Sequence, residues 1–122
     1  MPRFVVLEHD SPRGRHWDFL LEKGEALATW ALAEPPDSAG PVAAEALPDH
    51  RLAYLEYEGE VSGGRGSVRR WDHGNYRIEA EGVDGLSVVL SGTRLIGRVE
   101  LRPCSEEPRK WQFSFVPSVS AT

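Results

Sequence analysis

Short apolar stretches that alternate with polar residues, each ended within about ten residues by Gly, Pro, Asn or Asp, are what most limits how this chain can fold. Phe4 to Glu8, His16 to Glu22, Ala26 to Ala33, Arg51 to Glu58, Ser67 to Asp72, Tyr76 to Glu81, Leu86 to Leu90, Arg94 to Arg102 and Lys110 to Val116 read as strands. Lys23-Gly24-Glu25, His73-Gly74-Asn75 and Val83-Asp84-Gly85 read as turns, Glu34 to Pro41 as a proline-broken loop, and Gly59 to Gly66 as a glycine-rich connection. Val42 to Leu47 is open between a helical turn and an extended segment, because its Ala and Glu favour helix while its length and flanking prolines allow a strand. In Arg94 to Arg102, Leu95, Val99 and Leu101 share one face and Arg94, Arg98, Glu100 and Arg102 the other. Trp111, Phe113 and Phe115 likewise share one side of the last strand.

With no amphipathic helix between the strands, the pattern predicts an all-β fold: a small closed antiparallel β-barrel of about eight strands, with short or no helices. Closure hides the strand edges that one small open sheet would leave unpaired. The 122 residues suit a single domain over 1–116, with 117–122 as a frayed tail.

A net charge of −5 argues against a protein that coats nucleic acid by bulk electrostatics, since that binding needs many Lys and Arg to release counterions. Arg65, Arg69, Arg70 and Arg77 leave room for a local basic patch. The lone Cys104 has no internal disulfide partner, which fits a reducing compartment, and Phe4 to Leu7 is too short for a signal core or a membrane span. A cytoplasmic location with no membrane association is expected.

Chemistry concentrates near the start, in His9-Asp10 and His16-Trp17-Asp18-Phe19. On a strand, His16, Asp18, Leu20 and Glu22 point one way and Trp17, Phe19 and Leu21 the other. The apolar set is then core and His16 and Asp18 stand opposite it, where His9 reaches them if the intervening loop folds back. Two imidazoles and a carboxylate suit borderline divalent metals such as Mn, Fe or Zn. Glu22 lies too far along the strand and fits a hydrogen-bonding role better; His73 reads as a surface turn residue and the four Trp as core. Gly63-Gly64-Arg65-Gly66 lacks the Lys-Ser/Thr ending of a phosphate loop.

Five segments in order, Phe4 to Asp10, His16 to Glu22, Leu47 to Tyr54, Tyr57-Glu58-Gly59 and Trp71 to Tyr76, followed by Leu95-Ile96-Gly97-Arg98, make the chain resemble the 3′-phosphoesterase domain at the N-terminus of bacterial ligase D. The resemblance covers nearly the whole sequence. It implies a small β-barrel enzyme that removes ribonucleotides or phosphates from DNA 3′ ends in a primer-template, with Mn²⁺ as cofactor and Zn²⁺, Co²⁺ or Fe²⁺ as alternatives. It assigns His9, His16 and Asp18 to the metal and places His50 and Tyr54 by the phosphate; apart from the resemblance, the sequence offers Arg13, Arg15, Arg51 and Arg65 as further phosphate candidates. The implied partners are DNA ends and an end-joining ligase, polymerase or Ku-like protein.

Three departures stand out. The family's phosphate-gripping Arg is replaced by Leu20, a second family Arg falls near Val42, and the His9 to His16 loop is one residue longer than the commonest spacing. A neutral side chain replaces a bidentate guanidinium poorly. Two other readings follow: a non-catalytic module binding DNA ends or a repair partner, and, from the His-x-Asp pattern with a distant His, an iron oxygenase.

Overall fold

The computed structural model describes residues 2–104 and 106–118. Among these, the strands are β1 (Arg3–Ser11), β2 (Gly14–Lys23), β3 (Ala26–Leu32), β4 (Val42–Arg51), β5 (Gly59–Glu60), β6 (Ser67–Gly82), β7 (Gly85–Ser91), β8 (Ile96–Pro103) and β9 (Lys110–Pro117). All pairings are antiparallel, in the order β1-β2-β3-β4-β9-β8-β7-β6-β5, and β1 also pairs with β6. That last pairing closes eight strands into a barrel-like ring, leaving the short β5 outside it on the edge of β6. No helix among the described residues is long and apolar enough to cross a membrane.

Strand alternation generates two cores rather than one. Phe4, Phe19, Trp30, Val42, Tyr76, Val88, Val99 and Phe113, one from each strand of the ring, belong to the main cluster and fill its interior. Phe19 meets Phe113 edge to face, with ring centroids 5.2 Å apart. The opposite face of β1 and β2 is not wet: Val5, Leu7, Leu20, Leu27, Leu55, Val61 and Val68 form a second, smaller cluster outside the ring.

The structure differs from three expectations of the sequence and settles one that the sequence leaves open. Arg51 to Glu58 is not a strand: β4 ends at Arg51 and Leu52–Leu55 form a 3₁₀ turn. Leu52 and Leu55 lie three residues apart, one 3₁₀ turn, so both reach the second core. His73-Gly74-Asn75 is not a turn but the middle of β6, where the strand changes partner from β1 to β7. Glycine is needed at 74 because a Cβ there would lie 2.1 Å from the Ser91 carbonyl oxygen. Val42 to Leu47, left open above, is extended as part of β4. Pro117 closes β9 and so is not frayed, and 119–122, the rest of the expected tail apart from Ser118, lie outside the described residues.

Candidate metal centre

The longer loop does not separate the two histidines. β1 and β2 run in register up to Ser11 opposite Gly14, with Pro12 and Arg13 as the connection, so His9 and His16 are direct cross-strand partners. Their ring centroids are 4.5 Å apart. Asp18, two residues along β2 from His16, rises on the same face and is 3 % exposed. One ligand atom from each of His9, His16 and Asp18 lies within 4.8 Å of the others, and no other such group of His, Cys, Asp or Glu occurs among the described residues.

Donor geometry favours a cation here. His9 Nε2 is 2.8 Å from the Arg65 carbonyl oxygen, which can only accept, so Nε2 carries the hydrogen. A neutral ring then turns the Nδ1 lone pair toward Asp18 Oδ2, 3.1 Å away. Two acceptors that close need a positive charge between them, a proton or a metal. His16 Nε2 approaches Asp18 Oδ1 to 3.0 Å without being aligned as a hydrogen bond, and Oδ1 is buried with no donor. An orphaned carboxylate oxygen flanked by two imidazoles fits a divalent ion taking two N and one O ligands.

Titration should track this arrangement. Burial pushes the Asp18 carboxyl up, but the imidazoles of His16 and His9 outweigh it and hold the group below its ordinary range. The hydrogen bond to Asp18 raises His9 above 6.5, against a smaller lowering by burial. In the metal-free protein, His9 therefore stabilises the fold below its unfolded value, and that contribution is lost as pH rises through its folded value. Asp18 stabilises above its unfolded value and loses that as pH falls through its folded one. Metal and proton compete for His9 Nδ1, so affinity for Mn²⁺ should increase as pH climbs above 6.5 and then level off; calorimetric titrations between pH 6 and 8.5 would check this.

The carbonyl that orients His9 belongs to a loop tightly folded against β1. Arg65 Nε donates to the Ser62 carbonyl at 2.7 Å, and Val61 N–H to the Gly66 carbonyl at 2.7 Å. Gly66 has φ +92°, and a Cβ there would fall 1.8 Å from the Asp10 carbonyl oxygen. Gly66→Ala should push the loop off β1, weakening metal affinity about tenfold because the Arg65 carbonyl no longer orients His9. It should also cost about 1–2 kcal/mol of stability. Parallel metal titration and thermal melts would report both.

His50 and Tyr54 face the same cavity as the triad, a space of about 770 Å³. On a straight strand, four residues would separate them by about 13 Å. The 3₁₀ turn instead brings their rings to 5.6 Å, so the pair forms for a different reason from the shared strand face that the sequence suggests. The Pro48 carbonyl oxygen lies 3.0 Å from His50 Nδ1 and so takes its hydrogen, leaving Nε2 as the free ring atom. Neither joins the candidate metal-ligand group, whose third member, His9, lies on the neighbouring strand, whereas the oxygenase pattern would need a distant histidine.

Arg51 and Arg65 also line the cavity, but the Arg65 guanidinium is engaged by Ser62. Glu22 bonds the Arg3 amide through its side chain, at 2.9 Å, and takes no part in the triad. Leu20 is fully buried in the second core, beneath the 3₁₀ turn and Val61. Val42 lies in the main core opposite Phe113, so a charge at that position would be inside the ring rather than at this site. Sequence reasoning missed the Arg65 carbonyl; the glycines around it were its only signal.

Residues 7–102 match the family described as the DNA ligase D 3′-phosphoesterase domain. The chain is 35% identical over 109 residues to the multifunctional non-homologous end joining protein LigD of Pseudomonas aeruginosa, covering 81% of this chain and 13% of that protein. It is also 35% identical over 107 residues to the LigD proteins of Mycobacterium bovis and Mycobacterium tuberculosis, covering 80% of this chain and 14% of each. The chain thus spans a small fraction of the length of these relatives.

Proposed function

The chain belongs to the DNA ligase D 3′-phosphoesterase domain family, and from that premise we propose that it is a divalent-metal-dependent phosphoesterase that processes DNA 3′ ends, removing a 3′-ribonucleotide or a 3′-phosphate. What carries the reading is one juxtaposition: the His9, His16 and Asp18 triad opens into the same cavity as His50 and Tyr54. Mn²⁺ is the cation proposed, with Zn²⁺, Co²⁺ or Fe²⁺ as substitutes; bound there, it supplies Lewis-acid polarisation of a phosphoryl oxygen.

The chain's own groups do the rest. His9 and His16 present ring nitrogens from paired strands, and Asp18 supplies the balancing charge from a dry position. His50, with Nδ1–H fixed on the Pro48 carbonyl, acts in its imidazolium form, giving the Nε2 proton to the leaving oxygen as the P–O bond breaks and water adds to phosphorus. Tyr54, packed against that ring, orients a phosphate oxygen. The setting proposed is cytoplasmic end joining, beside a ligase, a polymerase or a Ku-like protein.

The test is an assay of purified protein on primers ending in a ribonucleotide or a 3′-phosphate, with and without Mn²⁺, beside His16→Ala and His50→Ala. Turnover should require metal and be lost with His16. His50→Ala should lower kcat at least about 100-fold while metal affinity holds. Undiminished activity of His16→Ala would overturn the assignment. Specific binding of primer ends without turnover would instead favour a non-catalytic end-binding module, a reading that the burial of Leu20 motivates.

A further inference from the structure

Phosphate binding needs positive charge, and apart from the proposed metal site and His50 the floor of this cavity has none to offer. Leu7 and Val68 line it, and Leu20 behind them is sealed in the second core. Charge sits on the rim instead, where Arg13 from the β1–β2 connection, Arg51 from the end of β4 and Arg65 from the glycine-rich loop all border the cavity. Against these three stand two carboxylates, Asp18, committed to the imidazoles, and Asp49. The rim is therefore locally cationic on a chain whose net charge is −5.

The arginines around the site are not equivalent. Arg15 is paired with Asp10 at 2.7 Å and lies near Glu8, Arg69 is paired with Glu8, and Arg65 is tied to Ser62. Among the described residues, Arg13 and Arg51 make no ion pair, and both are exposed. A guanidinium held by a carboxylate has its donors spent, whereas a free one keeps its planar fork for an incoming anion.

We propose that Arg13 and Arg51 bind backbone phosphates of the nucleic-acid substrate, a rim clamp from two separate segments that serves in place of a cation on the floor. The proposal rests on the reading of the site as one that takes a DNA 3′ end. Gripping the strand at the rim, away from the scissile phosphate, stabilises the bound ground state and the transition state alike, so it acts on KM and not on kcat. Each contact also displaces counterions from the strand.

The experiment compares Arg13→Ala, Arg51→Ala and, as control, Arg77→Ala on β6 outside the cavity, using the full chain with Mn²⁺ and a fluorescent primer with a 3′-ribonucleotide. Each rim variant should raise KM and the Kd from anisotropy about tenfold, with kcat within about twofold. Each should also flatten the slope of log Kd against log salt by about one. Arg51→Lys should recover only part of the loss, since an ammonium lacks the fork. Wild-type turnover with KM, Kd and salt slope in both rim variants equal to those of Arg77→Ala would overturn the clamp and leave the phosphoesterase reading standing. Wild-type binding without turnover, still weakened by both rim variants, would support the clamp and count against the catalytic reading. Absence of any primer binding by the wild type would overturn the clamp as well.

Discussion

Asp18→Asn is expected to abolish metal-dependent turnover and to weaken Mn²⁺ binding by more than about 100-fold. Losing a group one shell removed from a metal typically costs 10- to 100-fold, and Asp18 is the anion of the triad itself. An amide keeps the shape and one oxygen but removes the charge that draws two imidazoles and a cation together. Asp18 is 3 % exposed, so no solvent-borne carboxylate can take its place without remodelling β2. A variant with wild-type circular dichroism and melting behaviour but no metal heat on calorimetry would locate the defect in coordination. Unchanged Mn²⁺ affinity would remove Asp18 from the ligand set.

The second large effect is expected from restoring what the family typically carries. Leu20→Arg should not rebuild a phosphate clamp; it should destabilise the protein by about 3–5 kcal/mol. Leu20 is completely buried among Val5, Leu7, Leu27, Leu55, Val61 and Val68. Replacing it forfeits about 2 kcal/mol of apolar burial and puts a guanidinium into a cluster of apolar side chains. Against a typical total of about 5–15 kcal/mol, that is a large share. Urea unfolding curves of the two proteins give the difference directly. Equal stability, accompanied by tighter primer binding, would show that the second core yields and that the cavity floor can hold a cation after all.

How much of this was legible beforehand varies by element. The Arg94 to Arg102 and Lys110 to Val116 alternations are written in the side chains, and Val99, Leu101 and Phe113 are fully buried where the period of two puts them. The His16-Trp17-Asp18-Phe19 pattern sends Phe19 inward and Asp18 outward for the same reason. Residues 51–58 and 73–75 were misread because local propensity speaks neither to what a segment lands on nor to which strand it passes. Leu52 and Leu55 turn because a second core lies beneath them, and Gly74 is small because the Ser91 backbone comes close.

The sequence by itself therefore determined the strand periodicity, the all-β class and the donor types of the three candidate ligands, since these follow from side-chain alternation and donor type within single strands. Tertiary structure alone decided that His9 faces His16 across a hairpin, that the Arg65 carbonyl selects the His9 nitrogen offered to a cation, and that the ligand face borders a dry core. Register, tautomer and burial depend on contacts between residues such as His9 and Arg65, 56 positions apart, and no local pattern encodes such contacts.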